Sequence, residues 1–122
     1  MDVGWNCTAG AWFAQNPDTG VLYLYAEYYR SKAEPSVHAH GFRAKGEWIP
    51  GSIDPAARGR SQRDGHQLIQ DYQDLGLKVE PALNAREAGI QLVYQLLSSG
   101  QLKVFKNACP NWLTEYRMYQ RD

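Results

Sequence analysis

The stretch over residues 21–29 constrains the fold more than any other part of the sequence. It reads Val-Leu-Tyr-Leu-Tyr-Ala-Glu-Tyr-Tyr and is rich in the β-branched and aromatic side chains that favour strands. Residues 16–20, Asn-Pro-Asp-Thr-Gly, form a strong turn signal before it. Strand-like residues 10–14 precede that turn, and a short apolar stretch begins at Val3. The chain is therefore predicted to begin with three antiparallel strands.

Beyond this region the pattern changes to alternating helices and strands. Because strands joined by crossover helices pair in parallel, the prediction is an α/β fold with a mixed sheet, antiparallel in its first three strands and parallel afterwards. RNase H-like nucleases and recombinases, of the RuvC and integrase type, have this arrangement. The predicted elements are a helix over 37–45 capped by Ser36, a strand over 48–53, a helix over 65–75 between Asp64 and Gly76, a strand over 77–83, a helix over 85–99, a strand over 102–105, and a last helix from Pro110.

Composition indicates a folded domain with limited affinity for nucleic acid. Hydrophobic residues make up 43% of the chain and charged residues 21%, as is ordinary for a globular protein. The 122 residues suit one domain with one core. Thirteen basic side chains balance thirteen acidic ones, whereas tight binding to phosphates normally needs excess positive charge. Any DNA is therefore expected to be delivered by something else.

Targeting and redox signals are weak. No apolar run reaches the roughly 18 residues of a membrane span, and residues 1–4 lack the features of a signal peptide. We therefore expect no membrane contact and a cytoplasmic location. Cys7 and Cys109 lie far apart without zinc-site spacing, so both are predicted to be reduced core residues.

Two aspartates are the main candidates for chemistry. Asp2 lies on the first predicted strand and Asp54 at the exit of the strand over 48–53, so both carboxylates could face one spot. Such carboxylates can hold Mg²⁺ or Mn²⁺, which prefer oxygen ligands, and leave positions for water and phosphate. In a two-metal mechanism, one ion activates the attacking water and the other stabilises the leaving 3′ oxygen. Alternatively, Asp54 merely begins a turn with Pro55, and Asp2 sits at a frayed terminus.

The segment after Asp54 resembles a motif of a known family. Residues 53–65 read Ile-Asp-Pro-Ala-Ala-Arg-Gly-Arg-Ser-Gln-Arg-Asp-Gly, which is similar to the DPA(A)GRSQxDG motif of phage terminase large subunits. Residues 23–29, 84–90, 102–105 and 109–111 resemble the same family in order. The resemblance covers only the nuclease half of that family, since no GxxxxGK[ST] motif of an ATPase occurs. It implies a single RNase H-like nuclease domain over 1–122, without the ATPase domain and the final C-terminal helix.

Matched by position, the resemblance gives Asp2 and Asp54 the roles of catalytic metal ligands for Mg²⁺ or Mn²⁺. Glu27, on the strand expected beside the first, is an additional candidate ligand, although strand alternation also fits an exposed position. The family's third aspartate belongs to a helix beyond this sequence, and Asp122 stands at the wrong place in the pattern to replace it. Loss of one ligand would weaken at least one metal site.

Three arginines follow Asp54 in a glycine-containing loop. Arg58, Arg60 and Arg63 could contact the DNA backbone or stabilise charge on the reacting phosphate, and a solvated polar loop fits them equally well. The partners that the resemblance implies are double-stranded DNA and, in the full-length protein, an ATPase motor domain, the portal and the small terminase subunit. The location that the resemblance implies for the protein is the cytoplasm of the bacterial host.

The histidines and tryptophans are interpreted as structural. His38 and His40 point to different sides of a helix rather than forming a metal pair, and with His66 they are assigned to surface or capping roles. The four tryptophans could stack on single strands, but basic residues are sparse around most of them. Packing in the core and at its rim is therefore the preferred interpretation.

Three functions remain in competition. The first is a metal-dependent endonuclease domain of a phage terminase large subunit, which cleaves concatemeric viral DNA during genome packaging. The second is a catalytically inactive RNase H-like remnant or docking module that binds a packaging partner or DNA. The third is an RNase H-like resolvase for branched DNA, which the zero net charge and the terminase-like loop disfavour.

Overall fold

The computed structural model describes residues 1–4, 6–54, 65–82 and 86–118, with their side chains except at 65–67 and 86–89. Strands and helices alternate beyond the first hairpin, which confirms the predicted α/β class. None of the helices in these ranges is long and apolar enough to cross a membrane. The elements are β1 (Thr8–Gln15), β2 (Leu22–Arg30), α1 (Pro35–Arg43), β3 (Pro50–Ile53), α2 (Gly65–Asp74), β4 (Lys78–Pro81), α3 (Arg86–Ser98), β5 (Leu102–Val104) and α4 (Pro110–Met118).

The β1–β2 hairpin forms where the turn signal predicted it. The Asn16 side chain accepts hydrogen bonds from the backbone N–H groups of Asp18 and Thr19, at 2.8 and 3.3 Å. Gly20 closes the turn with a φ of 76°, a conformation that glycine adopts at little cost. On its other side, β2 pairs in parallel with β5, with Leu22 opposite Leu102. The resulting sheet has the order β1-β2-β5.

Strands β3 and β4 form a parallel pair joined by α2. The register places Pro50 opposite Lys78 and Ile53 opposite Pro81. Gly76, with a φ of 99°, follows α2 and lets the chain turn into β4, as its position in the sequence predicted. The predicted cap Asp64 lies outside the described residues. This pair confirms that the later strands are parallel and connected by a helix.

Contacts divide the chain into two compact units. The first unit comprises Met1–Gly10 and Tyr28–Asn84, and the second comprises Ala11–Glu27 and Ala85–Asp122. The buried core of the first unit consists of Val3, Ala39, Ile53, Leu68, Ile69, Tyr72 and Val79. In the second unit, the buried residues include Trp12, Leu24, Ala26, Leu102 and Cys109. A single domain over 1–122 stays a prediction.

The cap predicted for α1 is wrong. Ser36 does not cap the helix, because α1 already begins at Pro35 with Glu34 as its N-cap residue. Proline is well suited to the first helical position, since its fixed φ is helical and the N–H that it lacks would have no partner within the helix. The pyrrolidine ring therefore sets the start of α1 one residue before the serine.

Several side chains differ from their predicted burial. Cys109 is fully buried, as predicted, whereas Cys7 is only half-buried. Trp12 is buried and Trp112 half-buried, but Trp48 is 73% exposed, so the packing interpretation is wrong for Trp48. Trp5 lies outside the described residues.

His38 is buried, which contradicts its predicted surface or capping role. Only 2% of it is exposed, and its Nδ1 lies 2.8 Å from the hydroxyl oxygen of Tyr28. The helix can approach Tyr28 closely because Gly41 has no side chain, and a Cβ there would lie 2.4 Å from the Tyr28 ring. His40 is exposed, as predicted. The side chain of His66 lies outside the described part of the chain.

Burial of His38 predicts that the protein loses stability in acid. Burial lowers the pKa of the imidazole below the usual 6.5, Arg30 lowers it further, and a backbone hydrogen bond to Ala33 opposes the shift. Below about pH 6.5, His38 therefore binds a proton in the unfolded chain. In the folded chain it binds that proton only at a lower pH, near its lowered pKa. The contribution of neutral His38 to the free energy of unfolding is fully present above about pH 6.5. As pH falls below that value, the free energy of unfolding should drop by at most about 1.4 kcal/mol per pH unit.

Urea unfolding between pH 5 and 8 would measure this effect. We expect His38→Gln to flatten the pH dependence, whereas His40→Gln, on the exposed side of the same helix, should leave it unchanged. An unaltered pH dependence in His38→Gln would show that another group is responsible.

Candidate active site

The first three residues lie between two strand segments of the first unit. On one side, Asp2 and Ala9 exchange both of their backbone hydrogen bonds, each at 2.9 Å. On the other side, the Met1 amino group donates to the carbonyl oxygen of Ser52 at 2.8 Å, and the Asp54 N–H donates to the carbonyl oxygen of Met1 at 3.2 Å. The backbone on both sides of Asp2 is therefore held by hydrogen bonds.

These bonds define the register of the two aspartates. The pattern, from Met1 to Ser52 and from Asp54 back to Met1, is that of a parallel pair in which Met1 lies opposite Ile53. The next residues, Asp2 and Asp54, are then neighbours across the pair. Adjacent strands lie about 4.8 Å apart. The predicted proximity of these two residues follows from the backbone alone.

Alternation along the strands places both aspartates on the same face. Ile53 and Val3 are buried in the core of the first unit, and Met1 packs against that core. Successive side chains point to opposite faces, so Asp2 and Asp54 point away from the core. Consistent with this, Asp2 is exposed and Asp54 half-buried. The Asp2 side chain is therefore accessible to solvent, and that of Asp54 is partly accessible.

The electrostatics at Met1 also indicate that both carboxylates are near one point. Burial lowers the pKa of the Met1 amino group, while the negative charges of Asp2 and Asp54 raise it. Each carboxylate is therefore close enough to the Met1 amino group to act on its charge. A cation at this position would be stabilised by both charges.

The donor set fits one hard divalent cation. Carboxylate oxygens are preferred ligands of Mg²⁺ and Mn²⁺, and two of them leave coordination positions for water and phosphate. Within residues 1–4, 6–54, 65–82 and 86–118, no group of three or more His, Cys, Asp or Glu side chains could hold a metal ion. The two-metal arrangement stays a prediction, and Arg58, Arg60 and Arg63 lie outside these residues.

Glu27 belongs to the second unit and binds the start of α4. Its Oε1 accepts hydrogen bonds from the backbone N–H and the side-chain amide of Asn111, at 2.9 and 3.0 Å. Its Oε2 accepts a bond from the backbone N–H of Trp112 at 2.8 Å. The first N–H groups of a helix have no partner within the helix, and a carboxylate there also interacts favourably with the helix dipole. Glu27 thus holds α4 to β2.

This contact predicts a structural effect of Glu27 that is separable from metal binding. We expect Glu27→Ala to lower the free energy of unfolding by about 1–2 kcal/mol, because three hydrogen bonds to the helix start are lost. If Glu27 is not a ligand, its replacement should change Mn²⁺ affinity less than about twofold. Removal of a group that supports a metal ligand typically lowers metal affinity by about tenfold or more. Urea unfolding and Mn²⁺ titration of the same variant separate the two roles. A large loss of affinity at wild-type stability would instead make Glu27 a ligand.

Sequence reasoning missed two features of the site. The backbone pairing of Asp2 with Ala9 depends on which residues of the two segments face each other. The contact that Glu27 makes depends on where α4 begins. The signal for the second was present, since Pro110 at a helix start leaves the following N–H groups in need of an acceptor. For the first, the sequence between Gly4 and Ala9 carries no signal for the register.

Together, the hairpin, the parallel crossover pair and the two adjacent aspartates define an α/β domain of the RNase H-like class. The family described as the terminase RNase H-like domain matches residues 1–122, and the chain belongs to this family. The structure is also similar to that of the nuclease domain of the P22 large terminase, with a TM-score of 0.79 and 26% sequence identity. The match covers 99% of this chain and 66% of that one, so the chain spans about two thirds of its length. Comparison with curated proteins gave no match.

Proposed function

We propose that the chain is the metal-dependent endonuclease domain of a phage terminase large subunit and cleaves concatemeric viral DNA during genome packaging. The observation that carries this proposal is the placement of Asp2 and Asp54 side by side on the open face of a terminase RNase H-like domain. The resemblance to a structure described as a terminase nuclease domain supports the reaction type.

Asp2 and Asp54 would hold Mg²⁺ or Mn²⁺ for this reaction. When bound, such an ion supplies an activated water and stabilises charge on the leaving oxygen. The protein contributes position, because the backbone of Asp2 is paired on one side and that of its neighbour Met1 on the other. Asp54 is oriented by its own N–H bond to Met1. We propose that the three arginines that follow Asp54 in the sequence contact the DNA phosphates; these are Arg58, Arg60 and Arg63.

The proposed partners follow from the charge balance as well as from the family. A chain with thirteen basic and thirteen acidic side chains has no net attraction for DNA, so local contacts must act on DNA that is already held nearby. We propose that the ATPase motor domain, with the portal and the small terminase subunit, delivers double-stranded DNA to this domain. The proposed location is the cytoplasm of the bacterial host.

A cleavage assay tests this function and its dependence on metal. We expect the protein with Mn²⁺ to convert supercoiled plasmid to nicked and linear forms, and EDTA to stop the conversion, because the carboxylates alone cannot activate water sufficiently. Readdition of Mn²⁺ should restore cleavage. Cleavage that persists in EDTA would contradict a metal-dependent mechanism.

A docking module without nuclease activity is the second candidate. It is favoured by the observation that the described residues bring only two acidic side chains together in the first unit. It predicts that the protein binds a packaging partner or DNA and leaves plasmid intact at every Mn²⁺ concentration. The same assay therefore distinguishes the two functions.

A further inference from the structure

Thr8 is a buried polar residue at the start of β1 that the proposed chemistry does not use. None of its surface is exposed, although threonine is usually found at least partly in solvent. Its hydroxyl group donates to the carbonyl oxygen of Gly4 at 3.1 Å and accepts from the N–H of Gly4 at 3.4 Å. A single side chain therefore satisfies both backbone groups of one glycine.

The pairing of Asp2 with Ala9 explains why the backbone of Gly4 needs the Thr8 hydroxyl as a partner. Asp2 and Ala9 form a hydrogen-bonded antiparallel pair, so Val3 lies opposite Thr8 and Gly4 lies opposite Cys7. In a regular ladder, Gly4 and Cys7 would be the next pair to exchange bonds. Instead, the Thr8 hydroxyl forms hydrogen bonds with both backbone groups of Gly4 and so ties Gly4 to the start of β1. The approach is close, because a Cβ on Gly4 would lie 3.2 Å from the Cys7 carbonyl oxygen.

We propose that Thr8 is a positioning residue that sets the Asp2 carboxylate beside Asp54. Asp2 lies two residues before Gly4 and pairs with Ala9, the residue next to Thr8. The two Gly4–Thr8 hydrogen bonds keep the Asp2–Ala9 pair in register, and this pair keeps Asp2 level with Asp54. This inference rests on the proposed function, in which the two aspartates hold one cation.

The expected effect is on metal affinity as well as on stability. Groups hydrogen-bonded to a metal ligand typically change affinity by about 10–100-fold when removed, and because Thr8 acts through Gly4 we expect an effect at the lower end of that range. Thr8→Val keeps the shape of the side chain and removes the hydroxyl, so Gly4 loses both bonds. Thr8→Ser keeps the hydroxyl. We expect Mn²⁺ affinity to fall about tenfold or more in Thr8→Val and to stay within about threefold of wild type in Thr8→Ser.

The test is a Mn²⁺ titration, followed by EPR, of the wild type, Thr8→Val, Thr8→Ser and Asp2→Asn. Cys109→Ala is the control for general destabilisation, since Cys109 is fully buried and belongs to the second unit, whereas Thr8 belongs to the first. All titrations are made at a temperature at which circular dichroism shows each variant to be folded. If Thr8→Val does not fold, Thr8→Ala takes its place, with the same expected loss of affinity.

The outcomes separate the inference from the proposed function. Weak binding in Thr8→Val that Thr8→Ser restores, with normal binding in Cys109→Ala, supports the positioning role. Normal affinity in Thr8→Val or Thr8→Ala, with binding lost in Asp2→Asn, overturns the role of Thr8 and leaves the proposed function intact. Equal affinity in the wild type and Asp2→Asn overturns the metal site itself, and the role of Thr8 with it.

Discussion

Asp54→Asn and Asp2→Asn should each reduce Mn²⁺-dependent cleavage by at least about 100-fold, a larger loss than removal of a group that only orients a ligand. Asparagine keeps the size of the side chain but removes the negative charge and one strong oxygen ligand. The two carboxylates are neighbours across a parallel pair, so losing either leaves a single charge to hold the cation. Initial rates on supercoiled plasmid across a range of Mn²⁺ concentrations measure the loss.

Asp18→Asn is the matched control for this experiment. It removes the same charge, but Asp18 lies in the exposed turn between β1 and β2, in the second unit. All three variants shift the net charge from 0 to +1, so nonspecific attraction to DNA changes equally. Cleavage that survives in both Asp2→Asn and Asp54→Asn would place the chemistry elsewhere in the protein.

Ile53→Ala should lower the free energy of unfolding by about 2–5 kcal/mol. Ile53 is fully buried, lies opposite Pro81 in the β3–β4 pair and belongs to the core of the first unit. Removal of its side chain loses apolar burial and leaves a cavity that the surrounding strands and α2 can fill only in part. Urea denaturation followed by circular dichroism measures the change.

Val37→Ala gives the comparison for an exposed position. Val37 lies on α1 and is 37% exposed, so its replacement should change stability by less than about 1 kcal/mol. An effect of Ile53→Ala as small as that of Val37→Ala would contradict the position of β3 in the core.

Much of the fold was predictable because it depends on local signals. The turn at residues 16–20 and the glycines after α2 and α3 are positions where backbone geometry limits the residue type. The parallel arrangement followed from strands separated by helices. The proximity of Asp2 and Asp54 could be expected from their places on two predicted strands, and the family resemblance pointed to the same pair.

The remaining features depend on contacts between residues far apart in the sequence. His38 looked like a surface residue of a helix, but Tyr28, which approaches α1 across Gly41, contacts it and contributes to its burial. Glu27 was a candidate ligand by its strand position, but its carboxylate meets a helix that begins 83 positions later, at Pro110. Periodicity within one element carries no information about such partners.

Anomalous diffraction from a crystal of the protein soaked in Mn²⁺ would show directly whether Asp2 and Asp54 hold a cation together. We expect a manganese peak between the carboxylates of Asp2 and Asp54, with oxygen atoms of both at about 2.0–2.4 Å, the range of hard-cation ligands. Crystals of Asp54→Asn should lose the peak or show it much weaker. A strong peak at another position, with nothing between Asp2 and Asp54, would show that these two residues are not the metal site.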